Sequence, residues 1–168
     1  MPPLFISSVT SRSAFSFFPG YWKRPQITAD SFDDEGYFLT GDLFAIAGDG
    51  EDRYRFVGRL KNLIIRGGMK IAPEEVEYLL ADHPGIQEVA VLGVPDGRKL
   101  GEEVITATVV PKEGAEVRLS DLTDFLKQKD IAAYKLPRRL VVVESLPHNA
   151  VGKVLKREIK KLLAGATA

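Results

Sequence analysis

Four positions in this chain carry residue types that chemistry uses, at spacings that chemistry could use. Asp42 follows Thr40-Gly41 at a predicted strand end, where a carboxylate can accept hydrogen bonds from two neighbouring hydroxyls, such as a ribose diol. Alone, an aspartate in such a place more commonly bonds its own backbone in a turn. Arg59, just after Gly58, offers a planar fork that suits a ribose or phosphate oxygen; a surface arginine is its plainer role. Gly67-Gly68 lets the backbone turn with positive φ, or lets a ligand pass close to bare main chain. The pair lacks the glycine spacing and the following Lys-Ser/Thr of a phosphate-cradling loop. Lys153, after Gly152 in what reads as a flexible loop, can reach a transferring phosphate as a point charge. It serves equally as part of a solvated basic face with Lys156, Arg157, Lys160 and Lys161.

The remaining polar candidates read as structural. His148 lies in a Pro-Asn loop, and His83 is placed to act as a cation at a helix C-terminus. Tyr21 and Trp22 read as packing aromatics. The acidic run Asp30 to Glu35 is a solvated turn without metal-loop spacing.

These positions need a framework. The stretch YRFVGRLKNLIIRGGMKIAPEEVE, Tyr54 to Glu77, compresses most of it: a strand, a polar joint, a second strand, a glycine turn and a helix. That helix opens with Pro73 at its first position and Glu74 and Glu75 in its first turn. Before it, Tyr37-Phe38-Leu39 predicts a strand ending at Asp42. Phe44 to Ala47 and Tyr54 to Val57 predict a hairpin across Gly48-Asp49-Gly50. After it, Val76, Leu79 and Leu80 make a helical stripe that stops at Pro84-Gly85. Strands follow at Val89 to Val94, Val104 to Val110 and Leu140 to Val143. Ser120 is a candidate cap for a helix carrying Leu122, Phe125 and Leu126. Gly152 to Leu163 predicts a basic amphipathic helix. Paired strands between the helices favour a compact α+β domain over a doubly wound one. Residues 1–17 are Ser-rich without a clear period and read as a poorly ordered terminus.

Composition removes whole classes of function. The 168 residues include 23 Lys plus Arg and 23 Asp plus Glu, so a general nucleic-acid or membrane-surface binder is not indicated. There are no cysteines, which excludes disulfides, thiolate nucleophiles and cysteine metal sites. Two histidines do not make a zinc site. No apolar run approaches the roughly 20 residues that span a bilayer. With no cysteine pairing and no convincing export signal, the default location is the cytosol.

The motifs are individually weak, but their order is specific. GYWKRPQITADSF, GYFLTGD, YRFVGRLKNLIIRGGMKIAPEEVE and LPHNAVGKVLKREI, in that order, resemble the end of the adenylate-forming superfamily, and more narrowly the AMP-forming acyl-CoA synthetases. The resemblance runs from about Phe18 to about Leu163. It implies the small C-terminal domain of such an enzyme over residues 61–168, a short sheet flanked by helices. Residues 18–60 would be a β-hairpin strip left from the large AMP-binding domain. By the resemblance, Asp42 would bind the ribose hydroxyls of ATP and of the acyl-adenylate, and Arg59 would also contact the nucleotide. Lys61 would be the hinge between domains. Gly68 would line the channel for the pantetheine arm of coenzyme A, and Lys153 would be the lysine required for adenylation. Asn62 stands where the family usually has an acid, and HNAVGK replaces a commoner Thr-rich lysine loop.

The same resemblance sets the expected chemistry. A carboxylic acid, ATP and coenzyme A would be substrates, with AMP released and Mg2+ arriving with ATP, since no metal site is built here. The family's phosphate loop, adenine segment and acyl pocket lie upstream of these motifs. The chain is therefore expected to be a poor catalyst alone and to work with an N-terminal ligase half. A non-catalytic regulatory module and a truncated inactive product are the rival readings.

Overall fold

A computed structural model describes residues 6–11, 20–46, 54–97 and 101–165. The chain divides into two compact units, 1–61 and 62–168.

The first unit is a three-stranded antiparallel sheet with one short helix. Strand β1 spans Ile6–Ser11, β2 Phe38–Ile46 and β3 Tyr54–Arg59, in the order β1-β2-β3. Residues 6–11, read in the sequence as part of a poorly ordered terminus, thus pair along β2, with Ile6 opposite Ala45 and Ser11 opposite Phe38. A run of serines hides the period-2 pattern, and the ladder bonds that hold β1 come from the main chain, which composition does not report. β2 continues through Asp42 rather than ending there, because Leu43 and Ala45 are buried in the unit. A bulge at Leu43/Phe44 shifts the register against β3. The glycine turn expected between β2 and β3 lies outside the described residues. Helix α1, Pro25–Ala29, starts at proline, and Thr28 bonds back to Arg24 and Tyr21. Gly20 is required there, since a Cβ would lie 2.6 Å from Thr28. Trp22 is not a packing residue: it is 86% exposed, with the Lys23 ammonium 5.8 Å from its ring centroid.

The second unit places helices on both faces of a sheet. Strands β4 (Ile64–Arg66) and β5 (Met69–Ile71) form a hairpin closed by Gly67-Gly68. Both glycines have positive φ, +57° and +74°, the geometry of a two-residue turn that matches strand twist. Helix α2, Pro73–Leu80, begins at Pro73 with Glu74 and Glu75 in its first turn, as its sequence dictates. Strand β6 (Ile86–Pro95) pairs antiparallel with β7 (Glu103–Pro111), and β7 pairs parallel with β8 (Arg139–Val142). β7 is central and buried on both faces from Ile105 to Val110, so its apolar run is nearly continuous.

Alternation along β6 divides the core. Val91 joins Ile64, Val76, Leu80, Leu122 and Leu126 on the side of α2 and of helix α3 (Leu119–Gln128). Ala90 and Leu92 join Leu146, Ile159 and Leu163 on the side of helix α4 (Lys156–Gly165). The unit is α+β, a short sheet flanked by helices.

Two helix starts differ from expectation. α3 begins one residue before Ser120, with Arg118 at the N-cap position, where its backbone N–H donates to Asp121. Ser120 sits inside the first turn and bonds Asp121 instead. α4 begins at Lys156, not Gly152, because residues 148–154 fold back on themselves. His83 is not a helix cation. Its Nδ1 accepts a hydrogen bond from the Gly85 amide at 3.1 Å, and its ring packs edge-on to Phe125. Burial lowers its pKa, with Asp121 opposing and Lys112 adding to the effect.

Candidate functional site

Within the first unit, Asp42 on β2 and Arg59 on β3 are direct partners across the ladder. Arg59 Nε lies 2.7 Å from Asp42 Oδ1. The contact is an ion pair by distance, yet Oδ1 is buried without an aligned hydrogen-bond donor. Thr40 Oγ1 accepts from the Asp42 amide at 3.1 Å, which pins the backbone without using the carboxylate. Oδ1 is closed off, but the Asp42 side chain as a whole is 22% exposed and that of Arg59 40%, so the two present a carboxylate beside one planar donor. That pairing suits a ligand with hydroxyl donors and a nearby anionic oxygen. Lys61 ends this unit, exposed, in a 3-10 turn over Leu60–Asn62.

Within the second unit, Gly68 lies at the tip of the β4–β5 hairpin. A Cβ built there meets nothing within 4 Å, so the turn offers bare main chain to its surroundings. The hairpin is held in place from two directions. Arg66 Nη1 donates to the Tyr134 carbonyl at 3.0 Å, and the Ile65 amide donates to Glu103 Oε2 at 3.0 Å. Glu103 reaches it across Gly93, where a Cβ would lie 2.5 Å from the carboxyl.

Lys153 sits in a closed loop rather than a flexible one. Asn149 Oδ1 accepts from the amides of Val151 and Lys153, at 3.1 and 2.8 Å. The Asn149 amide donates to the Lys153 carbonyl at 3.0 Å, and His148 bridges Val154. His148 Nε2 lies 3.0 Å from Glu88 Oε2 on β6. Gly152, at φ +77°, turns the chain so that Val151 and Lys153 stand out in solvent. Among the described residues no carboxylate pairs with Lys153, while Lys156, Lys160 and Lys161 all have carboxylate neighbours. The basic run is thus divided: three of its lysines are engaged with the protein and Lys153 is held out.

A match to a known family runs through this loop. Residues 75–153 match the AMP-binding enzyme C-terminal domain, with Lys153 as the last residue matched.

Residues 75–153 are an AMP-binding enzyme C-terminal domain.

Proteins similar over most of the chain agree. A probable CoA ligase of Humulus lupulus is 40% identical over 157 residues, which are 88% of this chain and 25% of that protein. Malonate–CoA ligase of Arabidopsis thaliana is 40% identical over 159 residues, with the same coverage of 88% and 25%. The crystal structure of ATP-bound MatB from Rhodopseudomonas palustris matches with a TM-score of 0.76 and 36% identity, over 86% of this chain and 28% of that one. The o-succinylbenzoate-CoA synthetase of Bacillus subtilis, solved with its acyl-adenylate intermediate, matches at 0.73 and 35%, over 84% and 28%. The chain spans about a quarter of the length of the curated relatives it matches.

The second unit also holds a partly buried charged cluster that no local sequence pattern predicts. Lys156 Nζ lies 2.8 Å from Glu77 Oε1 and 3.5 Å from Glu74 Oε1. The Val91 amide donates to the same Glu77 oxygen at 2.6 Å. Lys156 Nζ is buried against the two carboxylates. Burial pushes the Glu77 pKa up, and Lys156 pulls against it. The one hint in the sequence is that Glu74 and Glu77 share a helical face at i,i+3. Their partner, Lys156, lies on another helix far along the chain, and no local pattern names it.

Proposed function

We propose that this chain works as the C-terminal part of an AMP-forming carboxylic acid–CoA ligase, joined to or paired with an N-terminal part. The observation that carries the reading is Lys153, exposed and without a carboxylate partner among the described residues, in a loop otherwise closed by hydrogen bonds and in the same compact unit as the bare Gly67-Gly68 turn.

In the first half-reaction a carboxylate oxygen attacks the α-phosphorus of ATP. An acyl-adenylate forms and pyrophosphate leaves. Lys153 stabilises the negative charge that builds on the phosphoryl oxygens, and its value comes from being pre-positioned and free of a competing carboxylate. Asp42 accepts hydrogen bonds from the ribose hydroxyls, and Arg59 contacts the same nucleotide. Mg2+ comes with ATP. In the second half-reaction the thiol of coenzyme A attacks the acyl carbon, a C–S bond forms and AMP leaves. Gly68 lines the path of the pantetheine arm, where a side chain would narrow it. Lys61 is the pivot that exchanges the Lys153 face for the Gly68 face. Residues 18–60 belong to the large AMP-binding domain, and residues 61–168 are the mobile small domain. The reading places the work in the cytosol.

The test is CoA-thioester synthesis from ATP, coenzyme A and a panel of carboxylic acids. It is run with the chain alone and with a separately made N-terminal ligase portion lacking its own small domain. Synthesis in the mixture, lost with Lys153→Ala, supports the reading. Binding of the N-terminal portion without synthesis would favour a regulatory module instead.

A further inference from the structure

Asn62 follows the exposed Lys61, which ends the first unit, and is the first residue of the second. Its side chain is not idle. Nδ2 donates to Glu74 Oε1 at 3.0 Å, in a partly buried contact spanning 12 positions of chain. Glu74 is itself held. It stands in the first turn of α2, and the Lys156 ammonium is 3.5 Å from the same oxygen. Lys156 in turn sits against Glu77, which also accepts from the Val91 amide. The cluster therefore holds two carboxylates and one ammonium, and Glu74 Oε2 is buried with no donor. Among the described residues Asn62 is the only aligned side-chain donor to Glu74, and a third carboxylate in its place would be repelled. An asparagine amide supplies the donor without adding charge.

We infer that Asn62 is a latch, which fixes the residue after Lys61 onto α2 through Glu74 and so confines hinge motion to Leu60 and Lys61. Position 62 is neutral because Glu74 already occupies the acidic side of the pair. The meaning of the latch for turnover rests on the ligase reading, in which Lys61 is the pivot; the latch itself does not. Asn62 is then a positioning residue: it sets which bonds are free to rotate and touches no substrate.

Limited trypsin digestion of the full chain reads the latch without any turnover. The bond after Lys61 is the reporter, fragments are assigned by mass, and each rate is normalised to a short peptide carrying the same bond. Asn62→Ala and Asn62→Asp should speed this cleavage about fivefold or more, the factor one net hydrogen bond carries when cleavage follows local opening. The double variant Asn62→Asp/Glu74→Gln restores one donor and one acceptor with their places exchanged, and should return the rate to within about twofold of wild type. Amide hydrogen exchange along β6 and β7 should stay unchanged in all of them, which separates unlatching from unfolding. Should Asn62→Asp unfold the unit outright, refolding by the double variant supports the pair equally well. Wild-type cleavage rates in both single variants, or a double variant no better than Asn62→Asp, overturn the latch. A wild-type chain that is latched by this measure yet makes no thioester with the N-terminal portion overturns the ligase reading alone.

Discussion

Arg59 stands directly opposite Asp42 in the β2–β3 ladder, and its Nε lies 2.7 Å from an oxygen that still has no aligned donor. The pair is half solvated, with the Arg59 side chain 40% exposed and that of Asp42 22%. Such a pair contributes little to stability, on the order of 0–1 kcal/mol. Its arrangement suits ligand binding more than structure: the guanidinium orients the carboxylate and leaves it able to accept.

Asp42→Asn should therefore leave the melting temperature nearly unchanged while weakening nucleotide binding by the reconstituted pair about tenfold, as expected when one charged acceptor is lost. Calorimetric titration with a non-hydrolysable ATP analogue checks it. A large fall in melting temperature with unchanged nucleotide affinity would assign the pair to structure.

Lys153→Ala should lower adenylation by about 10²–10³-fold, the usual effect of removing one pre-positioned group that stabilises transition-state charge. The readout is ATP–pyrophosphate exchange by the mixture. Thioester formation from a presynthesised acyl-adenylate should be nearly untouched, because that step has no transferring phosphate. Equal loss in both steps would show that the lysine loop acts on folding or docking.

Gly68→Ala should destabilise the second unit by about 1 kcal/mol through its positive φ alone, since a Cβ there meets nothing within 4 Å. Gly93→Ala is different in kind. Its Cβ would meet the Glu103 carboxyl at 2.5 Å and displace it from the Ile65 amide. Gly93→Ala and Glu103→Ala should each cost about 1–3 kcal/mol in urea melts, and together no more than the larger of the two. Simple additivity would refute the bracket from Glu103 to the hairpin.

Stability should also depend on pH through His83. Burial holds its pKa below the ordinary 6.5, so the unfolded chain binds the extra proton more readily than the folded one. The contribution is present above pH 6.5 and declines as pH falls through 6.5 toward the lower folded value. The structural cause is visible: a protonated Nδ1 cannot accept from the Gly85 amide. Urea melts of wild type and His83→Gln across pH 8 to 5 isolate the effect as a difference. Parallel pH profiles for the two would count against it.

The order of motifs determined the family, and local chemistry determined several elements outright. Gly67-Gly68 between the short strands Ile64–Arg66 and Met69–Ile71 can hardly do other than turn, because positive φ at both positions is available to glycine and costly to most residues. Pro73 followed by two glutamates starts a helix where it stands. These constraints act over a few residues, so they can be read along the chain. The lysine loop shows the limit. Its residues were legible, but its closed form was not, since it depends on Asn149 bonding across the loop and displaces the helix start to Lys156. What tertiary structure alone decided were the partners. Asp42 meets Arg59 only because a bulge shifts the β2–β3 register. β1 is a strand because β2 offers it an edge. Lys156 leaves the solvated basic face because packing α4 against β6 brings it to Glu74 and Glu77. Register and charge pairing are settled by what is buried together at once, and sequence spacing carries no record of that.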